Sequence, residues 1–194
     1  TKHEILPTPG AVLLGSELFA EVKGDCLVFD VGGATTDVHS VSDGSPDWAA
    51  KMVEPEPRAK RIVEGDLGVF INARNIIELT ENWEEEDRLV DLQAIPTTGD
   101  QMELTRWLCN KAVEMSIRRH AGVVTDLFTP TGKKQVVKGK DLTAVKWVIG
   151  TGGALTRIEG GEEILGRICT GAGKYLLPQP GTPVLLDRDY RFSA

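Results

Sequence analysis

Apolar positions fall in short runs broken by glycine, proline and carboxylate clusters. Leu27-Val28-Phe29 is a continuous apolar run bounded by turn residues, the pattern of a buried strand. Beyond Gly32 and Gly33, Val38 and Ser40 alternate with Asp37, His39 and Val41, an imperfect but strand-like pattern that predicts a hairpin. Upstream, Ala11, Leu14, Leu18 and Val22 share one helical face. Thr8 is the expected N-cap of that helix, Pro9 its first residue and Gly24 its stop. A third strand is expected within Trp48–Val53, after the turn Asp43-Gly44-Ser45-Pro46. Pro55 and Pro57 then forbid continuous pairing, so Arg61-Ile62-Val63 must bend or run along an edge.

Further on, Gly65-Asp66-Leu67-Gly68 predicts a helix capped by Asp66, with Leu67, Phe70, Ala73 and Ile77 as its buried stripe. Asp100-x-x-Glu103 reads as a capping box opening a long helix to about His120, with Leu104, Leu108, Ala112 and Met115 facing the core. Val123–Phe128 and Gln135–Lys138 predict a second hairpin. Lys146–Ile149 is another buried strand and runs into Gly150-Thr151-Gly152-Gly153; a helix through Glu162–Ile168 and a strand at Pro183–Leu186 follow. Three antiparallel strands followed by α/β crossovers predict an α/β fold with a mixed sheet, of the ribonuclease-H-like kind. Residues 1–78 and 144–194 would form that lobe, and residues 79–143 an inserted, smaller α+β subdomain.

Composition narrows the function classes. The chain of 194 residues is 41% apolar and 26% charged, as expected of a soluble globular protein with a sizeable core. A net charge of -7 argues against a nucleic-acid or anionic-membrane surface. No apolar run approaches the roughly 18 residues that span a bilayer. The start, Thr1-Lys2-His3-Glu4, has no signal-peptide core, so the expected location is cytoplasmic. Cys26, Cys109 and Cys169 fit neither a disulfide framework nor a zinc pattern, and the first two are expected as small core fillers. The carboxylate run Glu84–Asp87 is expected as a solvated helix start.

The first hairpin carries the candidate chemistry. Its tip combines paired glycines, hydroxyls and carboxylates in Asp30-x-Gly-Gly-x-Thr-x-Asp37. Glycines let backbone N–H groups approach phosphate oxygens, hydroxyls donate further bonds, and carboxylates hold a hydrated magnesium ion. An ordinary hairpin turn uses the same glycines, so on this stretch alone both readings stand.

With Gly150-x-Gly-Gly153 after a later strand, this motif resembles the phosphate and adenosine motifs of the actin, heat-shock-chaperone and sugar-kinase ATPase superfamily, whose members bind ATP and magnesium between two lobes. The wording of Phe29–Ser40 is more specifically similar to the accessory protein of cobalamin-dependent glutamate (methylaspartate) mutase and the reactivating factor of D-ornithine aminomutase. So are Pro7-Thr8-Pro9, Val63–Gly68, Thr129–Gly132, Gly139–Leu142 and Val148–Leu155. The resemblance covers nearly the whole chain. It implies that Asp30 holds magnesium through water and orients the attacking water, with Asp37 as a second contact to the hydrated metal. Gly32, Gly33 and Thr35 would bind the terminal phosphates. Gly65, Gly68 or Asp66 would face the nucleotide, and Gly152 and Gly153 would lie against ribose and adenine. ATP turnover would then open a mutase or aminomutase for exchange of damaged cobalamin.

The resemblance has gaps. The superfamily's first-lobe Asp/Gly/Thr motif has no counterpart upstream of Asp30, so the expected role is the second lobe of a longer protein, with the missing N-terminal lobe as a partner and little ATPase activity on its own. Glu114, Arg118 and Arg119 match the chaperones' adenine clamp only loosely, and a solvated helix face is the plainer reading. Arg157 stands one residue too far from the glycines to match their adenine-stacking arginine and is left out. Asp37-x-His39 resembles a cobalamin-binding loop, but Ser42 replaces the glycine of that motif and the histidine lies in a strand, so direct cobalt ligation is not expected. Two other readings remain: a hydantoinase/oxoprolinase-type ATPase, whose glycine-rich segment is not visible between Ser42 and Glu64, and a non-catalytic partner-binding lobe.

Overall fold

A computed structural model of the chain describes residues 8–130 and 132–192. Its elements, in order, are α1 (Thr8–Lys23), β1 (Cys26–Val31), β2 (Thr36–Val41), α2 (Pro46–Ala49), β3 (Ala59–Glu64), α3 (Ala73–Thr80), a 3-10 segment (Trp83–Asp91), α4 (Gly99–His120), β4 (Val123–Thr129), β5 (Gly132–Lys138), β6 (Trp147–Thr151), α5 (Gly153–Thr156), α6 (Gly161–Gly166) and β7 (Val184–Leu186).

Five strands form one mixed sheet in the order β3-β2-β1-β6-β7. The pairs β1–β2 and β2–β3 are antiparallel, whereas β1–β6 and β6–β7 are parallel. The apolar run of β1 sits at the centre and feeds both faces. Leu27, Phe29 and Val31 join a large core with Leu104, Leu108 and Ala112 of α4 and with Leu155 and Leu165 of α5 and α6. Cys26 and Val28 face the other way, into a smaller cluster with Val12 and Ala20 of α1. Burial on both faces is what a continuous apolar strand requires. Cys26 and Cys109 are fully buried in these clusters, and burial pushes each thiol up to about 12, so both act as apolar fillers.

Four local expectations are corrected. Trp48–Val53 is not a strand: Ser45-Pro46 starts the one-turn helix α2, and beyond it Met52 and Val53 only bridge to Val137 of β5. The third strand is β3, on the sheet edge, where Arg61-Ile62-Val63 was expected to run. Asp66 caps no helix. Residues 65–71 instead form a loop over the hairpin tip, and α3 starts only at Ala73, leaving Phe70 39% exposed. The capping box of α4 is built by Thr98 and Gln101, two residues before the expected pair: Thr98 Oγ1 accepts from the Gln101 amide and Gln101 Oε1 from the Thr98 amide. Lastly, α1 buries Val12, Ser16 and Ala20 rather than the Leu14, Leu18 and Val22 stripe. Small residues on the inner face let the helix lie close to the strands, and Ser16 satisfies its hydroxyl on the Val12 carbonyl. The side chains of the expected cap, Thr8 and Pro9, lie outside the described residues.

Within residues 79–143, α4 packs on β1 and β2 and shares the large core, while β4 and β5 form a separate two-stranded sheet. No helix among the described residues is long and apolar enough to cross a membrane.

Candidate functional site

Parallel strands β1, β6 and β7 present their C-terminal ends to one edge of the fold, the place where open α/β sheets bind ligands. The chain leaves β1 for the β2 side and β6 for the β7 side, and the motif residues gather at that divergence.

Asp30 is the penultimate residue of β1 and Asp37 the second of β2, opposite each other in register. Thr35 Oγ1 donates to Asp37 Oδ2 at 3.1 Å. Asp37 is only 4% exposed, and its Oδ1 is buried without a hydrogen-bond partner among the described residues. Burial, then the charges of Asp37 and Asp187, push Asp30 up to about 6. Burial also raises Asp37, opposed by the Thr35 hydrogen bond and by Arg61. A pair of carboxylates carrying an orphaned buried oxygen fits a hard, oxygen-seeking cation such as magnesium.

The tip of the hairpin is pinned from below. Gly32 donates to the Thr35 carbonyl at 2.9 Å; its own carbonyl accepts from Val69, and that of Gly33 accepts from Phe70 and Ile71. No hydrogen bond among the described residues engages the amides of Gly33 or Ala34, both of which are exposed. The turn thus has its carbonyls occupied and two donors available, the polarity an anion needs.

Gly152 brings the second motif to the first. Its φ of 83° is left-handed, and a Cβ there would stand 2.7 Å from Asp30 Oδ1 and 2.4 Å from the Val31 carbonyl oxygen. Gly153 opens α5 with nothing within 4 Å of a built Cβ and lines a cavity of about 410 Å³. Gly32, Gly33, Phe70, Ile95, Met102 and Arg157 are among its other walls. Small-molecule pockets have this size and mixed, mainly apolar lining.

Gly65 and Gly68 do not line that cavity. Gly68 is a packing glycine, since a Cβ would come within 2.3 Å of the Ala34 carbonyl carbon. Asp66 receives both arms of the Arg119 guanidinium, at 2.8 and 2.9 Å, and Arg119 also pairs with Glu64. Glu114 pairs with Arg118 one turn away at 2.6 Å, on an exposed face of α4. His39 is wholly buried in β2, with neither ring nitrogen partnered among the described residues.

Sequence reasoning missed three contributors. Asp187, just past β7, accepts from the Arg191 and Phe192 amides at 2.8 and 3.0 Å and from Thr151 Oγ1 at 3.4 Å. Its nearness to Asp30 follows from the β6–β7 pairing and carries no local signature. Arg157, set aside for its spacing, is on the cavity wall, with Nε donating to the Tyr190 hydroxyl at 2.9 Å. Residues 93–96 form a further wall, and no motif marks them.

A known protein carries a related sequence. A curated relative, Protein MutL of Clostridium tetanomorphum, is 35% identical over 215 aligned residues, which take in 98% of this chain and 46% of that protein. The chain therefore spans about half the length of the curated relative it matches. A family model described as MutL protein matches residues 1–194. The chain belongs to the MutL protein family.

Proposed function

We propose that this chain is one lobe of an ATP-dependent reactivating chaperone for a cobalamin-dependent mutase or aminomutase, in which nucleotide turnover drives release of damaged cobalamin from the partner. The observation that carries this reading is the seat of Gly152 on Asp30, which joins the hairpin and the later glycine motif into one site beside a nucleoside-sized cavity. The strand order, with three antiparallel strands followed by two parallel additions, supports a ribonuclease-H-like, actin-like lobe.

In this reading the exposed amides at Gly33 and Ala34 bind the terminal phosphates, the Thr35 hydroxyl joins them by turning its proton from Asp37 to the phosphate, and the cavity beyond Gly153 takes the nucleoside. Phe70 and Met102 supply apolar surface for the base, and Arg157 stands at its edge. Asp30 and Asp37 hold the hydration shell of magnesium. That ion, when bound, neutralises charge on the phosphates. Asp30 accepts a hydrogen bond from the attacking water and orients it. The chemistry needs positioning rather than a covalent intermediate, and half of the positioning groups would come from the rest of the longer protein. ATP and ADP then stabilise different arrangements of the two lobes, and the mutase senses the difference.

The test is equilibrium binding of a fluorescent ATP analogue to the full-length protein. Magnesium-dependent binding that drops about tenfold or more in Asp37→Asn is expected. Equal binding by wild type and Asp37→Asn, with or without magnesium, rejects the site.

A further inference from the structure

The two faces of the five-stranded sheet are covered unequally. One carries α4, α5 and α6. The other carries α1, which lies over β1, β2 and β3 and covers Ile149 of β6, 1% exposed, but leaves the β7 edge open. There Ile149 and Leu185 are opposite each other in register and point to the α1 side, with Leu185 41% exposed. Between them and the helix runs a groove of about 520 Å³, with an apolar wall of Leu18, Phe19, Ile149, Leu185 and Phe192 and a charged rim over residues 187–191. The outward side of α1 continues the apolar surface: Leu14 is 46%, Leu18 55% and Val22 78% exposed.

Parallel strands are stable when both faces are covered, and a contiguous apolar surface of this kind marks an interaction site. The curated relative is about twice as long as this chain, which accounts for 46% of it. We infer that the α1 stripe and the α1–β7 groove are the seat of another segment of the same polypeptide, outside residues 1–194. The inference is independent of nucleotide binding. It concerns the outer side of α1 and the far strand of the sheet, and its test uses neither ATP nor a mutase.

Cysteine accessibility in the full-length polypeptide reads the surface directly. The three native thiols of this region are buried, with Cys26 and Cys109 at 0% and Cys169 at 8% exposure, so an introduced thiol dominates maleimide labelling here. Leu18→Cys and Leu185→Cys probe the two walls, and Val90→Cys, at a side chain 83% exposed, serves as the open reference in the same chain. Both wall thiols are expected to react at least about tenfold more slowly than the reference, at every protein concentration. Wall thiols that react as fast as the reference overturn the inference. So does protection that disappears on fiftyfold dilution, because that assigns the surface to a second copy of the protein.

Discussion

Gly152 lies so close to Asp30 that a single added carbon would stand 2.7 Å from the carboxylate oxygen. This contact fixes the end of β6 against the end of β1 and decides which substitutions separate stability from function.

Gly152→Ala is expected to destabilise the fold by roughly 2–4 kcal/mol, because the left-handed φ and the collision with the Val31 carbonyl act together. Gly153→Ala meets nothing within 4 Å and should leave the melting temperature unchanged within a degree or two, while intruding on the cavity wall. Thermal melts with nucleotide titrations of both variants check this; equal melting temperatures for the two contradict it.

Asp30 should cost stability at neutral pH. Its carboxyl rises from 3.8 to about 6 on folding, so between those values the folded chain holds the extra proton and stability falls as pH rises. Asp30→Asn removes that cost and is expected to stabilise the protein at pH 7.5 by roughly 1–3 kcal/mol, while abolishing turnover. Denaturant melts at pH 4.5 and 7.5 should show a gain that is clearly larger at the higher pH. Destabilisation at pH 7.5 contradicts the assignment.

Two buried histidines act in the opposite sense. Burial lowers His39 to about 4 and His120 to about 3, the latter with Nε2 on Ser40 Oγ at 2.7 Å. The unfolded chain therefore binds the extra protons, and stability is lost as pH falls below about 6.5. His39 has no partner for either nitrogen among the described residues, so His39→Leu should be neutral or stabilising by about 1 kcal/mol at pH 7 and should flatten the acid limb. A melting temperature lowered by several degrees at neutral pH contradicts this account.

Breaking the Arg119–Asp66 contact should matter little. The two side chains are 34% and 40% exposed, and exposed pairs contribute at most about 1 kcal/mol. Arg119→Ala is expected to shift the denaturation midpoint only slightly and to leave nucleotide affinity unchanged. An affinity loss of tenfold would place Arg119 in the site after all.

Much of this architecture was legible in the sequence because its central strands, β1 and β6, are short apolar runs closed by glycine. The hairpin, β6 and the long helix α4 follow from periodicity alone. The errors have a common cause. At α1 the more hydrophobic stripe was expected to pack inward, yet small residues win because close approach to the sheet is worth more there. At Asp66 and Asp100 the right cap residue was present but the local path differed: the loop over Gly32 and Gly33 takes the first, and Thr98 precedes the second. In the candidate site, Asp30, Gly32, Gly33, Thr35, Asp37, Gly152 and Gly153 were all marked by motif, and the structure brings them to one edge. Asp187 reaches that edge only through the β6–β7 pairing, which spacing does not encode, whereas Arg157 follows Gly153 at the end of α5.

The central claim is that Asp30 couples nucleotide turnover to action on a mutase. The measurement is recovery of activity by a mutase carrying inactivated cobalamin, with free cofactor, ATP and magnesium, using full-length wild type or Asp30→Ala. The account predicts recovery with wild type and a loss of about a hundredfold or more in its rate with Asp30→Ala, although the variant is folded and still binds the mutase. Undiminished, ATP-dependent recovery with Asp30→Ala would contradict it.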